Sequence, residues 1–370
     1  MNRNSHKRKK GRGGMFSTIL VIITLLVTLL QMAPLVLMES SPTSNAPLAI
    51  LGILYPGFTL LNILLWIYWV LHSNKSALIP LIGLLSTLSI LGGYLQLFPK
   101  KEVTPHQTLK VLSYNVRYMG TKNDQTYSDD IRHFIRSENP DIICMQEFDY
   151  GSESFQEVIE LFKKETRTQH YIFTRYYPGK QNSERIILLS KNKIIHKGSL
   201  SDSHQRRYAI YADILHHTDT LRIINGHLQS IYLNRRDNPV LGDLRTPGGD
   251  LQRKGKRIYA KLTHAYKRRA VQSDSLVRFI EASPYKVVLC GDLNDTPSSY
   301  TYASIKRFLK DAFRQAGRGL GITFGKGILS FRIDYIFHDP RIKCSSYTIH
   351  KGVHFSDHYP VTATLELKEK

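Results

Sequence analysis

Lys286-Val287-Val288-Leu289-Cys290-Gly291-Asp292-Leu293-Asn294-Asp295 decides how the polar part of this 370-residue chain is read, because a short apolar run passes without a break into glycine, carboxylate and amide. Runs of this length rich in β-branched residues read as interior strands, and loops at strand ends are where sites are built. The same pattern recurs elsewhere. Val111-Leu112-Ser113-Tyr114 ends in Asn115, Ile142-Ile143-Cys144-Met145-Gln146 ends in Glu147, and Ile223-Ile224-Asn225-Gly226 ends in His227. Further on, Arg332-Ile333-Asp334-Tyr335-Ile336-Phe337 carries an acid at the start of an apolar run, and Ser356-Asp357-His358 precedes the last one.

Extending this reading, strands are expected at residues 110–115, 141–146, 171–175, 186–189, 207–215, 221–227, 286–289, 332–337, 347–350 and 361–367. Helices are expected at 128–137, 154–165, roughly 257–281 and 300–312. So many strands against so few helices exceed a simple doubly wound sheet and fit two sheets packed face to face with helices outside. The expected class is α/β, a four-layer α/β sandwich of two packed mixed sheets flanked by helices. Cys144, Cys290 and Cys344 sit in or at the start of apolar strands, which favours core packing over catalysis. Sequence leaves a Cys144–Cys290 bond open, and no Cys/His spacing suggests zinc.

Carboxylates, amides and histidines without thiolates suit Mg²⁺ or Mn²⁺, which bind through one or two carboxylates plus water and substrate phosphate. A histidine paired to a carboxylate holds a defined tautomer and stabilises charge on a phosphoryl oxygen. Taken singly, each signal has a plain structural explanation: Asp292 capping a turn, Glu147 ending a strand in solvent. The ordered set is harder to explain that way.

That set resembles the endonuclease/exonuclease/phosphatase family over roughly residues 107–370. The matching elements are Tyr114-Asn115-Val116, Gln146-Glu147, Gly226-His227-Leu228, Gly291-Asp292-Leu293-Asn294, Arg332-Ile333-Asp334-Tyr335-Ile336 and Ser356-Asp357-His358. The resemblance implies a metal-dependent hydrolase acting on phosphoester bonds. It implies Asn115 and Glu147 as metal residues, with Asp357 orienting or contacting the metal site. It implies Asp292 orienting or deprotonating the attacking water, and Asn294 holding a phosphate oxygen. His227 and His358 would bind non-bridging oxygens, and Asp334 would orient His227 or its equivalent partner. Two positions depart from the family pattern: Gly226 where threonine is usual, and Ser183-Glu184-Arg185 where many members have glycine.

Residues 1–99 are of another kind. Stretches of 26, 35 and 24 residues between Arg12, Glu39, Lys75 and Lys100 lack any Asp, Glu, Lys or Arg. Each holds enough apolar residues to cross roughly 30 Å of hydrocarbon as a helix, which excludes a wholly soluble globular protein. Three transmembrane helices are expected, at residues 14–37, 47–71 and 77–98, forming an anchor over 15–99 between a basic tail at 1–14 and a catalytic domain at 107–370. A cleaved signal peptide is the rival reading of the first. Six basic residues before that span place the N-terminus in the cytosol by the positive-inside rule. The expectation is therefore an integral inner-membrane protein with an extracytoplasmic catalytic domain. No ionisable residue lies mid-span, which argues for an anchor rather than an ion pathway.

The segment beyond residue 99 carries 44 basic and 29 acidic residues, a field that favours polyanions or an anionic membrane surface. Residues 235–269 concentrate eleven basic residues against three aspartates. Phosphate-backbone binding by a nuclease and docking to anionic head groups both explain such a segment, as does a solvated charged loop. Two enzyme readings follow: a phosphodiesterase of nuclease type on nucleic acid, and a phosphatase or phosphodiesterase on lipid or inositol head groups. A non-catalytic polyanion-binding module is the reading from another class. Sequence does not settle the oligomeric state.

Overall fold

Side chains alternate faces along a strand, and Lys286–Asp292 divides accordingly: Val288 and Cys290 enter one apolar cluster, Val287 and Leu289 another. Ile142 and Cys144 likewise part from Ile143 and Met145. Strands buried on both faces need cover on both, which dictates a layered fold. The structure, a computed structural model, describes residues 10–97, 107–119, 127–149, 154–176, 185–231, 249–325 and 330–367.

Its strands in chain order are β1 (Leu95–Gln96), β2 (Thr108–Asn115), β3 (Ile142–Phe148), β4 (His170–Arg175), β5 (Arg185–Ser190), β6 (Ile194–Ser201), β7 (Arg207–His216), β8 (Asp219–His227), β9 (Lys286–Asp292), β10 (Lys310–Asp311), β11 (Gly319–Leu320), β12 (Asp334–His338), β13 (Lys343–Ile349) and β14 (Val361–Glu366). Among the described residues twelve of them form two six-stranded mixed sheets, ordered β10-β12-β9-β8-β7-β6 and β13-β14-β2-β3-β5-β4, and β1 pairs with β11. Residues such as Val111, Cys144, Ile223, Val288 and Ala363 fill the space between the sheets. Helices Ser128–Glu138 and Phe155–Thr166 present Ile131, Ile135, Ile159 and Phe162 to one outer face. Helix Gly249–Glu281 turns Leu276 and Ile280 to the other. The result is the expected four-layer α/β sandwich, and all three cysteines are buried and free.

The sequence missed β6, whose Lys197, Gly198 and serines lack strand character; it lies at a sheet edge, where β7 supplies the pairing. The expected helix 300–312 is broken after Lys306, because Asp311 leaves helical geometry, pairs with Phe337 and caps the next short helix through Phe313 N.

Before the sandwich, Met15–Leu37 and Pro42–Leu71 are, among the described residues, the two stretches long and apolar enough to cross a membrane. Most of the apolar length of each is unburied, and Phe16, Ile22, Leu29, Leu60 and Leu64 are exposed. The expected third span needs correction. Its helix runs Lys75–Ser86 and resumes briefly as Leu88–Leu91. Gly92, Gly93 and Tyr94 then turn into β1, which pairs with β11 of the sandwich side. Twelve helical residues rise only about 18 Å, and Gly93 approaches so closely that an added Cβ would lie 2.5 Å from Pro297 Cβ. Polar side chains join the three helices: Thr28 Oγ1 donates to Asn62 Oδ1 at 3.1 Å, Gln31 Nε2 to Thr87 Oγ1 at 2.9 Å and Trp69 Nε1 to Thr24 Oγ1 at 3.0 Å. Such bonds serve as glue where water does not compete.

The bundle also locks onto the sandwich. Ser298 Oγ donates to Gly52 O at 2.6 Å, Arg314 Nη1 to Ser89 O at 2.6 Å and Arg332 Nη1 to Gly93 O at 2.9 Å, while Arg307 pairs with Glu39.

Candidate active site

Strand direction explains why the polar tips converge. β2 runs parallel to β3, and β8 to β9, so Asn115, Glu147, His227 and Asp292 all lie at carboxyl ends. β12 and β14 run antiparallel to β9 and β2, so their amino-terminal ends arrive at the same edge. Asp334 stands directly opposite Asp292 in that register, and His358 lies just before β14. Buried amides tie the two sheets together beneath this edge: Gln146 Nε2 donates to Asn225 Oδ1 at 2.6 Å, and Asn225 Nδ2 to the carbonyls of Met145 and Ile187.

Asn115 is the hinge of the cluster. Its Nδ2 donates to Asp292 Oδ2 at 3.1 Å and to Glu147 Oε1 at 3.3 Å, so carboxylates far apart in sequence share one amide. Asn115 Oδ1 accepts from Arg117 N at 3.1 Å. His227 Nε2 lies 3.6 Å from Glu147 Oε1 and 3.8 Å from Asp292 Oδ2. Both ring nitrogens of His227 are buried without a hydrogen-bond partner among the described residues, a costly state that a bound oxygen would relieve. Asn294 N donates to Asp292 Oδ1 at 2.7 Å, and Asn294 Nδ2 to Leu228 O at 3.0 Å. Glu147 and Asn294 both adopt left-handed backbone, at φ 51° and 53°, a conformation that costs energy and clusters at functional sites.

His358 Nδ1 lies 2.9 Å from Asp334 Oδ2, and His358 Nε2 3.8 Å from Asp292 Oδ2. Asp334 therefore lies against His358. Burial works against a charge on His358, but Asp334, its hydrogen bond, Asp292 and Asp357 outweigh this and lift its pKa to about 10. Burial, helped by the Asp334 charge, raises Asp292 to about 6 against the pull of His358, His227 and the Asn294 amide. Asp357 stands at the rim, paired to Arg117 Nη1 at 2.8 Å.

The structure thus brings together Asn115, Glu147, His227, Asp292, Asp334 and His358, with Asn294 tied to Asp292 and Asp357 turned outward. Among the described residues, Asp292, Asp334 and His358 form the buried group whose ligand atoms lie within 4.8 Å of one another. Asp292 belongs to it, though the sequence reading placed the metal at Asn115, Glu147 and Asp357. Sequence reasoning missed Thr323, whose Oγ1 accepts from Ile333 N and Asp334 N at 3.1 Å and so fixes the start of β12. Ser356, quoted only as a motif letter, donates to Asn115 O at 2.8 Å. Gly226 has room for a side chain, its nearest contact being Leu228 Cδ1 at 3.6 Å. Gly291, at φ 137°, has none: an added Cβ would lie 1.9 Å from Gly226 O. The variant Ser183-Glu184 falls outside the described residues.

This geometry has a counterpart among known proteins. A model of the endonuclease/exonuclease/phosphatase family matches residues 112–358, more than half of the chain. The chain belongs to the endonuclease/exonuclease/phosphatase family. A second family model, a domain of unknown function (DUF8431), matches residues 17–94. No curated protein matches the chain. Among solved structures, a family protein from Bacteroides thetaiotaomicron is 16% identical, covering 72% of this chain and 97% of its own, with a TM-score of 0.49. A family protein from Leptotrichia buccalis is 19% identical over 70% and 100%, with a TM-score of 0.48. A truncated Caenorhabditis elegans TDP2 is 19% identical over 70% and 97%, also at 0.48. Membership rests on the family model, and with it comes hydrolysis of phosphoester bonds as the family's general chemistry.

Proposed function

We propose that this protein is a membrane-anchored, divalent-metal-dependent phosphoester hydrolase of the phosphodiesterase or nuclease type. The observation that carries the reading is the shared amide: Asn115 holds Glu147 and Asp292 within 3.3 Å, beside a His227 whose buried nitrogens have no partner among the described residues. Oxygen donors without thiolate suit Mg²⁺ or Mn²⁺. Glu147 would hold the ion, its carboxylate aimed by Asn115 Nδ2, with Asp357 near it, and the bound ion would polarise the phosphoryl oxygen and neutralise developing charge. Asp292 orients the attacking water and takes its proton. Asn294 holds a phosphate oxygen, and His227 and His358 donate to the non-bridging oxygens as they gain charge. Asp334 keeps His358 charged and aimed.

The proposed division is a basic tail at 1–14, an anchor at 15–99 and the catalytic domain at 107–370. Glu39, Gly52, Ser89 and Gly93 all meet the sandwich at one end of the helical bundle. The first helix starts at Lys10, about 33 Å back along its axis from Met32. With Arg3, Lys7, Arg8 and Lys9 ahead of it and Lys10 and Arg12 in its first turn, this supports a cytosolic N-terminus and an extracytoplasmic catalytic domain in the inner membrane.

Full-length protein in detergent should hydrolyse bis(4-nitrophenyl) phosphate only with Mg²⁺ or Mn²⁺. EDTA should abolish turnover and either ion restore it; turnover that survives exhaustive chelation removes the metal from the mechanism. The same preparation assayed on plasmid DNA, RNA, phospholipids and inositol phosphates separates the substrate classes, and an inert chain that still binds them would be a polyanion-binding module. A second expectation concerns pH. His358 works as a cation, so kcat/KM should fall as pH rises toward 10, and Asp334→Asn, by removing the carboxylate that stabilises that cation, should move this alkaline limb to lower pH. An alkaline limb that stays put in Asp334→Asn profiles would take His358 out of that role.

A further inference from the structure

Helix Gly249–Glu281 carries more than the outer cover of a sheet requires. It packs against Pro42–Asn45 and Ala46–Ala49, the entry to the second apolar stretch. Arg253, Lys256, Arg257 and Lys267 on it are exposed. Two open cavities lie along it, and His264 lines both. One, of about 460 Å³, is bounded by Arg206, Arg257, Lys261 and His264 together with Gln229 and Ile231. Gln229 is two residues beyond His227, at most about 7 Å along the chain. The other, of about 270 Å³, is bounded by Lys267, Arg268 and His264 together with Val271 and Thr43. Its acid, Asp202, accepts from Arg268 Nη2 at 2.7 Å and from the backbone amides of His204 and Arg206. Two cationic cavities with apolar patches therefore sit in series along this helix, one lined by Gln229, two residues past His227, and the other by Thr43, at the entry to the second apolar stretch. The basic residues 235–248 fall outside the described residues.

Charge and position select one occupant. Nucleic acid would meet the cations but has no reason to approach Thr43, whereas an anionic lipid presents phosphate at that level, with its chains where the apolar helices are exposed. We propose that the two cavities along helix Gly249–Glu281 bind the anionic head group of a membrane phospholipid and lead it toward His227. This rests on the phosphoester-hydrolase reading for the chemistry that follows, but the binding itself does not.

The test uses full-length protein in neutral detergent, held in EDTA so that nothing is turned over. Calorimetric titrations compare dihexanoyl-phosphatidylglycerol, dihexanoyl-phosphatidylcholine and a single-stranded dodecanucleotide. Phosphatidylglycerol should bind saturably and phosphatidylcholine far more weakly. Lys261→Glu/Lys267→Glu, one charge reversed in each cavity, should weaken phosphatidylglycerol by about tenfold or more. Lys261→Gln/Lys267→Gln should shift it less, in the same direction, and guards against misfolding by the charge reversal. Both variants should keep the wild-type circular-dichroism spectrum in the same detergent. Equal binding of the two lipids, phosphatidylglycerol binding unmoved in both variants, or a loss confined to the oligonucleotide would each overturn the proposal. Normal phosphatidylglycerol binding by a chain that hydrolyses no phosphoester would sink the catalytic reading and leave the lipid site standing.

Discussion

His358→Ala is expected to lower turnover of an activated phosphodiester by about 10²–10⁴-fold at saturating metal, the range for loss of a positioned proton donor or charge-stabilising group. The imidazole sits 2.9 Å from Asp334 on one side and 3.8 Å from Asp292 on the other. Removing it deletes the donor to the phosphoryl oxygen and leaves two buried carboxylates facing each other. Both defects fall on the transition state, so kcat should drop with little change in KM. Like charges brought together in a dry site favour proton uptake, so one carboxyl should ionise only at higher pH. The acid limb of the rate profile should therefore move upward in the variant. His358→Ala with wild-type kcat would refute the assignment of this residue.

Legibility differed between elements for physical reasons. Asn115, Glu147, His227 and Asp292 could be read as site residues because each interrupts an apolar run at its end, and burial of a polar group there needs a purpose. Their convergence follows from parallel pairing of β2 with β3 and of β8 with β9, which only buried strands with helical crossovers adopt. What each group touches was less accessible. Residue type marks Asn115 as polar, but whether its amide presents oxygen or Nδ2 to the carboxylates depends on Arg117 N claiming Oδ1. Asp334 was expected in the site, yet the start of its strand is fixed by Thr323, a residue in no apolar pattern. The third apolar stretch misled for a related reason. Hydropathy counts residues 77–98 as continuous, whereas Gly92 and Gly93 end the helix so that backbone can reach Pro297 and Arg332.

Arg332→Met should destabilise the protein by about 3–5 kcal/mol, the cost of leaving a buried carboxylate without its partner. Arg332 is 1% exposed, and its guanidinium meets Asp311 through two bonds of 2.7 and 2.6 Å. The rings of Phe313 and Tyr335 lie 4.4 and 4.6 Å from its Cζ, a dry setting that strengthens the pair. Burial alone would raise the Asp311 carboxyl, but Arg332 and the Tyr302 hydroxyl bring it below its usual 3.8. A carboxyl lowered on folding stabilises above its unfolded value and loses that contribution as pH falls through the folded one. The wild type should therefore soften in acid, and Arg332→Met should show less of that acid dependence. The same guanidinium donates to Gly93 O, so the variant also frees the segment linking the helical bundle to β12, two residues from Asp334. Arg332→Met/Asp311→Leu removes both charges and should recover most of the lost stability, since an apolar replacement for a buried pair is often close to neutral. Thermal unfolding of the full chain in one detergent, compared across the three proteins, reads the difference. If Arg332→Met melts with the wild type, or the double variant fares no better than the single one, the buried Asp311 charge is not what the loss of Arg332 exposes.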